Sequence, residues 1–268
     1  MASKLALLVQ KLQVLLLIFM ITLRKNRTMQ QANELINKLI SLGNDKEREA
    51  VAYFFKTGKG GYAETDTFLG IKVPVVRATV KQYLKTLTPS DVAILVKSDY
   101  HEIRLAGLIA WVEMYKKSKD EATQNEIVEL YLNHTSYVNN WDLVDLSCEY
   151  ILGEYLLDRP KDLLFELASS ANMWEQRISI ITTLTFIRKG SFTTTLELAE
   201  IFLNHQHDLM HKATGWCLRE VGKRNLDILR TFLNKHAAAM PRTMLRYSIE
   251  KMDDAERKHY MGIKRSKS

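Results

Sequence analysis

Apolar residues recur at helical spacing through nearly the whole chain from Gln30 onward, and no stretch sustains the alternation of a half-buried strand. Leu35, Ile36, Leu39 and Ile40 lay one apolar face along a helix over 32–42, which Gly43 stops. A second helix runs from Asp45 to Lys56, capped by Asn44 or Asp45. Thr57-Gly-Lys-Gly-Gly-Tyr-Ala-Glu-Thr-Asp-Thr67 is the one long polar, glycine-rich loop. It lacks both the Gly-Lys-Ser/Thr order and the preceding strand of a phosphate loop. Pro74 then stands at the start of a further helix, where proline is tolerated.

Beyond that point the pattern predicts helix pairs: 89–97 with 101–116, 122–132 with 141–156, 160–169 with 174–189, 193–204 with 208–224, and 226–236 with 242–250. Short polar breaks such as Asp158-Arg-Pro160 and Lys189-Gly-Ser191 separate them. Most pairs span roughly 30–40 residues, at or just below the HEAT/armadillo repeat length. One pair cannot bury its apolar face alone, so neighbours must stack. The expected fold is all-α, a HEAT-like helical-repeat superhelix (α-solenoid) with a concave side, over a single domain at 29–268.

Four prolines and eleven glycines are sparse punctuation, which favours long helices over many turn-connected strands. Two cysteines, Cys148 and Cys217, exclude a disulfide framework and point to a reducing, cytoplasmic setting. The net charge of +7 is uneven. Residues 1–28 hold Lys4, Lys11, Arg24, Lys25 and Arg27 and no acid, so +5 sits there and +2 on the remainder. A nucleic-acid reading must therefore rest on where the charges lie, not on the total. The same segment carries an apolar run, Val14 to Leu23, shorter than the roughly 20 residues of a comfortable membrane span. No small-residue cleavage site follows it. Residues 1–28 thus read as an extension ahead of a start at Met29, with a weak membrane anchor as the rival account.

Three tryptophans in the second half each have an ionised residue one helical turn on: Trp141 with Asp145, Trp174 with Arg177, Trp216 with Arg219. The dipole at a helix start explains Asp142 well but Asp145 less well, because Asp145 lies a full turn in. Asp145 is then either an exposed acid or a catalytic one. Arg177 opens an apolar helix, where it pairs with Glu175 or a neighbouring acid, or points its fork at a phosphate. The same two readings hold for Arg219. Single tryptophans are most often core residues; Trp141 and Trp216 beside a carboxylate at similar repeat positions are harder to dismiss. His205, His207 and His211 offer a weak metal set with no further ligand in view, so no metal is expected.

Trp-Asp-x-Val-Asp at 141–145, Trp-x-Gln-Arg at 174–177 and Lys-Ala-x-Gly-Trp-x-Leu-Arg-Glu at 212–220 together resemble the DNA alkylation repair glycosylases of the AlkD type. Phe68-Leu-Gly-Ile-Lys-Val-Pro74 and Met240-Pro-Arg-Thr-Met-Leu-Arg-Tyr247 look like that family as well. The likeness runs from about Gln30 to Met252 and leaves out residues 1–28. It implies a concave face that holds duplex DNA carrying alkylated bases. It also implies excision of cationic alkylpurines, such as 3-alkyladenine and 7-alkylguanine, without metal or organic cofactor. By the same resemblance the catalytic aspartate falls on Asp145, the active-site tryptophans on Trp141 and Trp216, and the DNA-contacting arginines on Arg177 and Arg219. A monomer with no membrane partner is expected. The rivals are a non-catalytic HEAT scaffold that binds DNA or protein, and an interaction protein tethered through residues 1–28.

Overall fold

The computed structural model describes Leu16 and residues 29–264. Among these residues the regular structure is helical, a helical-repeat fold, apart from one isolated bridge between Thr67 and Tyr100. The chain divides into two compact units, with the boundary inside a long helix after Ala110.

In the first unit, helix α1 (29–41) buries Ala32, Leu35 and Leu39 along one face. Asn44 caps α2 (Asp45–Phe54), its side chain accepting from the amides of Lys46 and Glu47. Helix α3 (Val73–Tyr83) carries Pro74 in its first turn, and α4 (Pro89–Val96) starts on a Thr88/Asp91 capping box. Helix α5 (His101–Lys117) is buried on every face from His101 to Val112. An irregular segment crosses its start. Gly70 sits there at φ +77, and Glu102 accepts from the amides of Leu69, Gly70 and Ile71 at 2.8, 2.8 and 3.2 Å. These backbone donors have no helix or sheet partner, so a buried carboxylate supplies the acceptor. Asp66 does the same for side chains, accepting from Arg104 Nη2 at 2.5 Å and facing His101 Nδ1 at 3.2 Å. The Phe-Leu-Gly-Ile motif is thus held by Glu102 from beneath.

The second unit runs through α6 (Glu121–Leu132), α7 (Trp141–Cys148), a π-turn (Glu149–Gly153) into α8 (Glu154–Leu156), and α9 (Asp162–Ala168). It continues as α10 (Met173–Thr182), α11 (Leu184–Arg188), α12 (Thr193–Ile201), α13 (Asp208–Arg224), α14 (Leu226–His236), α15 (Arg242–Ser248) and α16 (Asp254–Gly262). Helix α10 packs on α7, α9 and α13, and α13 on α14 and α15. The helix expected over 141–156 contains the π-turn, and that over 174–189 breaks at Thr183, whose hydroxyl donates to Ile180 O. Helix α16 lies beyond the expected pairs. Its signal is Asp253, which caps it by accepting from the Glu256 amide.

Among the described residues no helix is long and apolar enough to cross a membrane. The Val14–Leu23 run lies outside the described residues except for Leu16.

Gly70 admits no side chain. An added Cβ would lie 2.3 Å from Asn44 O and 2.6 Å from Arg48 N, besides the cost of its positive φ. Gly70→Ala is expected to lose at least about 1–3 kcal/mol, read as a lower urea midpoint; a wild-type midpoint would contradict this account of the segment.

Candidate active site

Helix α7 begins where the Asn140 side chain accepts from the Trp141 amide, which fixes the turn that presents Trp141 and Asp145 on one face. Trp141, Asp145, Trp174 and Trp216 are each partly exposed, whereas Leu143, Val144, Ser147 and Cys148 of α7 are buried.

Asp145 does not stand free. Arg177 reaches across from α10 and grips it through two parallel bonds, Nε to Oδ1 at 2.9 Å and Nη2 to Oδ2 at 2.8 Å. The remaining arm, Nη1, donates to Leu209 O at 2.7 Å. One guanidinium therefore ties α7, α10 and the first turn of α13, the helix that carries Trp216. The side chains are 6% exposed for Arg177 and 18% for Asp145, so the carboxylate keeps a window to solvent while the arginine is closed in. Burial pushes the Asp145 carboxyl above its ordinary range; Arg177 pulls it back, and Asp142 and Glu149 add to the rise.

Glu175, the other acid open to Arg177 in the sequence, is engaged elsewhere, accepting from Thr135 Oγ1 at 2.6 Å and from Ser170 Oγ. A phosphate approaching Arg177 would have to compete with a bidentate carboxylate and would find the guanidinium buried. Arg219 sits differently. Its guanidinium pairs with Glu250 and lies 3.8 Å from Glu220, and its side chain is partly exposed.

Trp216 lines a pocket of about 240 Å³ with Glu149, Leu184, Arg188, Glu220 and Arg224. Glu149 lies one turn beyond Asp145 along the chain, but neither Asp145 nor Trp141 lines this pocket. Glu149 and its partner Arg188, paired at 2.8 Å, went unnoticed in the sequence. The readable signal was the spacing: Glu149 follows Asp145 by one helical turn, and Arg188 follows Arg177 by three.

The three histidines shape a helix start. His207 caps α13 by accepting from the Leu209 amide at 3.2 Å, and His205 Nδ1 accepts from the His207 amide at 3.0 Å. His205 Nε2 lies 2.8 Å from Gln176 Oε1, and His211 Nε2 lies 2.5 Å from His205 O. Burial holds His205 and His207 below the ordinary histidine range. Among the described residues, no group of three or more His, Cys, Asp or Glu could hold a metal ion. Cys148 and Cys217 are fully buried, and burial pushes both thiols up, away from the reactive thiolate.

A family profile described as "DNA alkylation repair enzyme" matches residues 35–252. Among solved structures, a predicted DNA alkylation repair enzyme from Enterococcus faecalis is similar, with a TM-score of 0.63 and 17% sequence identity over 79% of this chain and 97% of that one. At that identity the likeness is one of fold. No curated protein matches.

Truncating Arg177 strands a carboxylate. Arg177→Met is expected to cost about 3–5 kcal/mol of stability, and the Asp145→Asn, Arg177→Met double variant should recover part of it. A double-mutant cycle in urea measures the coupling; strictly additive losses would contradict the pairing.

Proposed function

Because the chain belongs to the DNA alkylation repair enzyme family, we propose that it is a monofunctional glycosylase hydrolysing the N-glycosidic bond of cationic alkylpurines in duplex DNA. The observation that carries this reading is the Asp145–Arg177 fork: a carboxylate beside an indole, fixed in direction by two bonds and still open to solvent.

The chemistry follows from the charges. An alkylated purine is already a cation, so its leaving needs no proton from a general acid. As the bond to C1′ breaks, its electron pair returns to the base and neutralises it, and positive charge builds on the sugar. Asp145, ionised and held still, stabilises that charge without having to reorganise. Water then attacks C1′ and gives its proton to the same carboxylate. Trp141 and Trp216 supply π-faces, each worth about 0.5–2 kcal/mol for a cationic base or sugar and little for a neutral one. That difference selects damaged from normal bases.

Arg177 acts here as a positioning residue, through Asp145. The contact to a flanking phosphate falls to Arg219, whose guanidinium is anchored by Glu250. Phosphate contacts set the register of the duplex and carry no sequence information.

Asp145→Asn is expected to slow release of 7-methylguanine from methylated duplex by about 10²–10³-fold, with duplex affinity retained. Base release at the wild-type rate would overturn the mechanism. The working form of Asp145 is ionised, so activity should rise with pH through its folded-state value. Burial places that acid limb above the roughly 3.9 of a free aspartate. Arg177→Gln should move the limb higher still, since it removes the group that favours the ion. A kcat/KM profile with its limb at or below the free-aspartate value would count against Asp145 as the titrating group.

A further inference from the structure

The pocket beside Trp216 contains machinery that the glycosylase chemistry does not use. Two carboxylates and two guanidiniums line it, and they differ in exposure. Glu149 and Glu220 have side chains 9% and 18% exposed. Arg188 and Arg224 are more open, at 41% and 32%. The guanidiniums are thus more accessible to a ligand than the carboxylates. Glu220 is also shared: Lys223 at 2.6 Å and Arg224 at 3.3 Å both pair with it, and Arg219 lies beside it. The cations around the pocket thus outnumber the acids that hold them.

The carboxylates hold the guanidiniums in place. The π-turn at Glu149–Gly153 displaces α7 from regular α-helical bonding, and Thr185 Oγ1 donates to the Glu149 carbonyl at 2.7 Å. Arg188 then donates through Nη1 to Glu149 Oε2 at 2.8 Å and through Nη2 to Thr185 Oγ1 at 3.0 Å. Gly153 makes the close approach possible, since a Cβ there would fall 2.6 Å from Thr185 Oγ1. Such turns recur at functional sites because they re-aim side chains. Here the turn aims Glu149 at Arg188. A guanidinium has five N–H donors, and the bonds to Glu149 and Thr185 use two of those on Arg188, leaving the others for a ligand.

We propose that the pocket formed by Arg188 and Arg224 beside Trp216 binds one backbone phosphodiester of the duplex, with Glu149 and Glu220 fixing the two forks. This rests on the duplex-DNA reading above, and it adds a phosphate site next to the indole that faces the lesion. The phosphate seats the strand against Trp216, so the site acts on binding and on lesion placement, not on the bond-breaking step.

The test is the salt dependence of binding to an undamaged duplex, read by fluorescence anisotropy, with base release from methylated duplex measured alongside. Losing one phosphate contact lowers the log–log salt slope by about 0.9. Arg224→Gln should show that loss. So should the Glu149→Gln, Arg188→Gln double variant, which leaves net charge unchanged and strands no carboxylate. Glu149→Gln alone should tighten binding, because it frees Arg188 from a competitor. A wild-type slope in both Arg224→Gln and the double variant would overturn the proposal. So would a variant-sensitive thermal shift with inorganic phosphate alone at unchanged duplex slope, which would mark a site for small free anions. If wild type releases no base while the slopes still fall, the glycosylase reading fails and the phosphate site stands. If base is released and the slopes do not move, the reverse holds.

Discussion

One guanidinium holds three helices of the second unit to one another. Arg177 spends two bonds on Asp145 of α7 and one on the Leu209 carbonyl at the start of α13, while its own backbone belongs to α10. An ion pair this closed to solvent adds little net stability over an apolar packing, because both charges were dehydrated to make it. What it does add is direction. A carboxylate gripped at both oxygens cannot swing, and the fork keeps it charged in a place where burial favours the neutral acid. Position and charge state of Asp145 thus come from the same contact.

The arrangement recurs at repeat spacing. Arg177 with Asp145, Arg188 with Glu149, Arg219 with Glu250 and Arg159 with Glu121 join residues 32, 39, 31 and 38 positions apart, about one repeat each. Apolar stripes glue neighbouring repeats without much preference for register. Ion pairs between them supply it, since a shift of one turn would break each of them, and at Arg177–Asp145 two bonds at once. On the exposed pairs that effect is small, as surface ion pairs are screened and entropically costly. On the buried Asp145–Arg177 pair it is large, and that is the pair beside the indoles. The same geometry lets one set of residues serve both as a repeat joint and, in the reading proposed above, as a site.

Helix existence was legible as far as 250, though not for α16, because apolar periodicity is a local property of the chain. The expected pairs 89–97 with 101–116 and 226–236 with 242–250 match the observed helices to within a residue or two. Asn44 was readable as a cap for the same reason, its partners lying two and three residues away. The π-turn at Glu149–Gly153 and the break at Thr183 were not readable. The π-turn is stabilised by its packing partner: a helix that must pass Thr185 closely adjusts its winding at Gly153, and no pattern along α7 alone reports that.

The chemistry divides along the same line. Sequence alone determined that an acid and an indole share a face at Trp141 and Asp145, since four residues on a helix bring two side chains together whatever surrounds them. It also narrowed Arg177 to two roles, carboxylate partner or phosphate contact. The pairing with Asp145 is visible only in the tertiary structure, because Asp145 and Arg177 lie 32 positions apart and meet only when α7 and α10 stack. The histidines went the same way: their spacing allowed a metal set, whereas in the fold His207 caps α13 and His205 bonds Gln176. Contacts within a turn are written into a helix's own period, whereas contacts between repeats depend on how each stripe settles against the next.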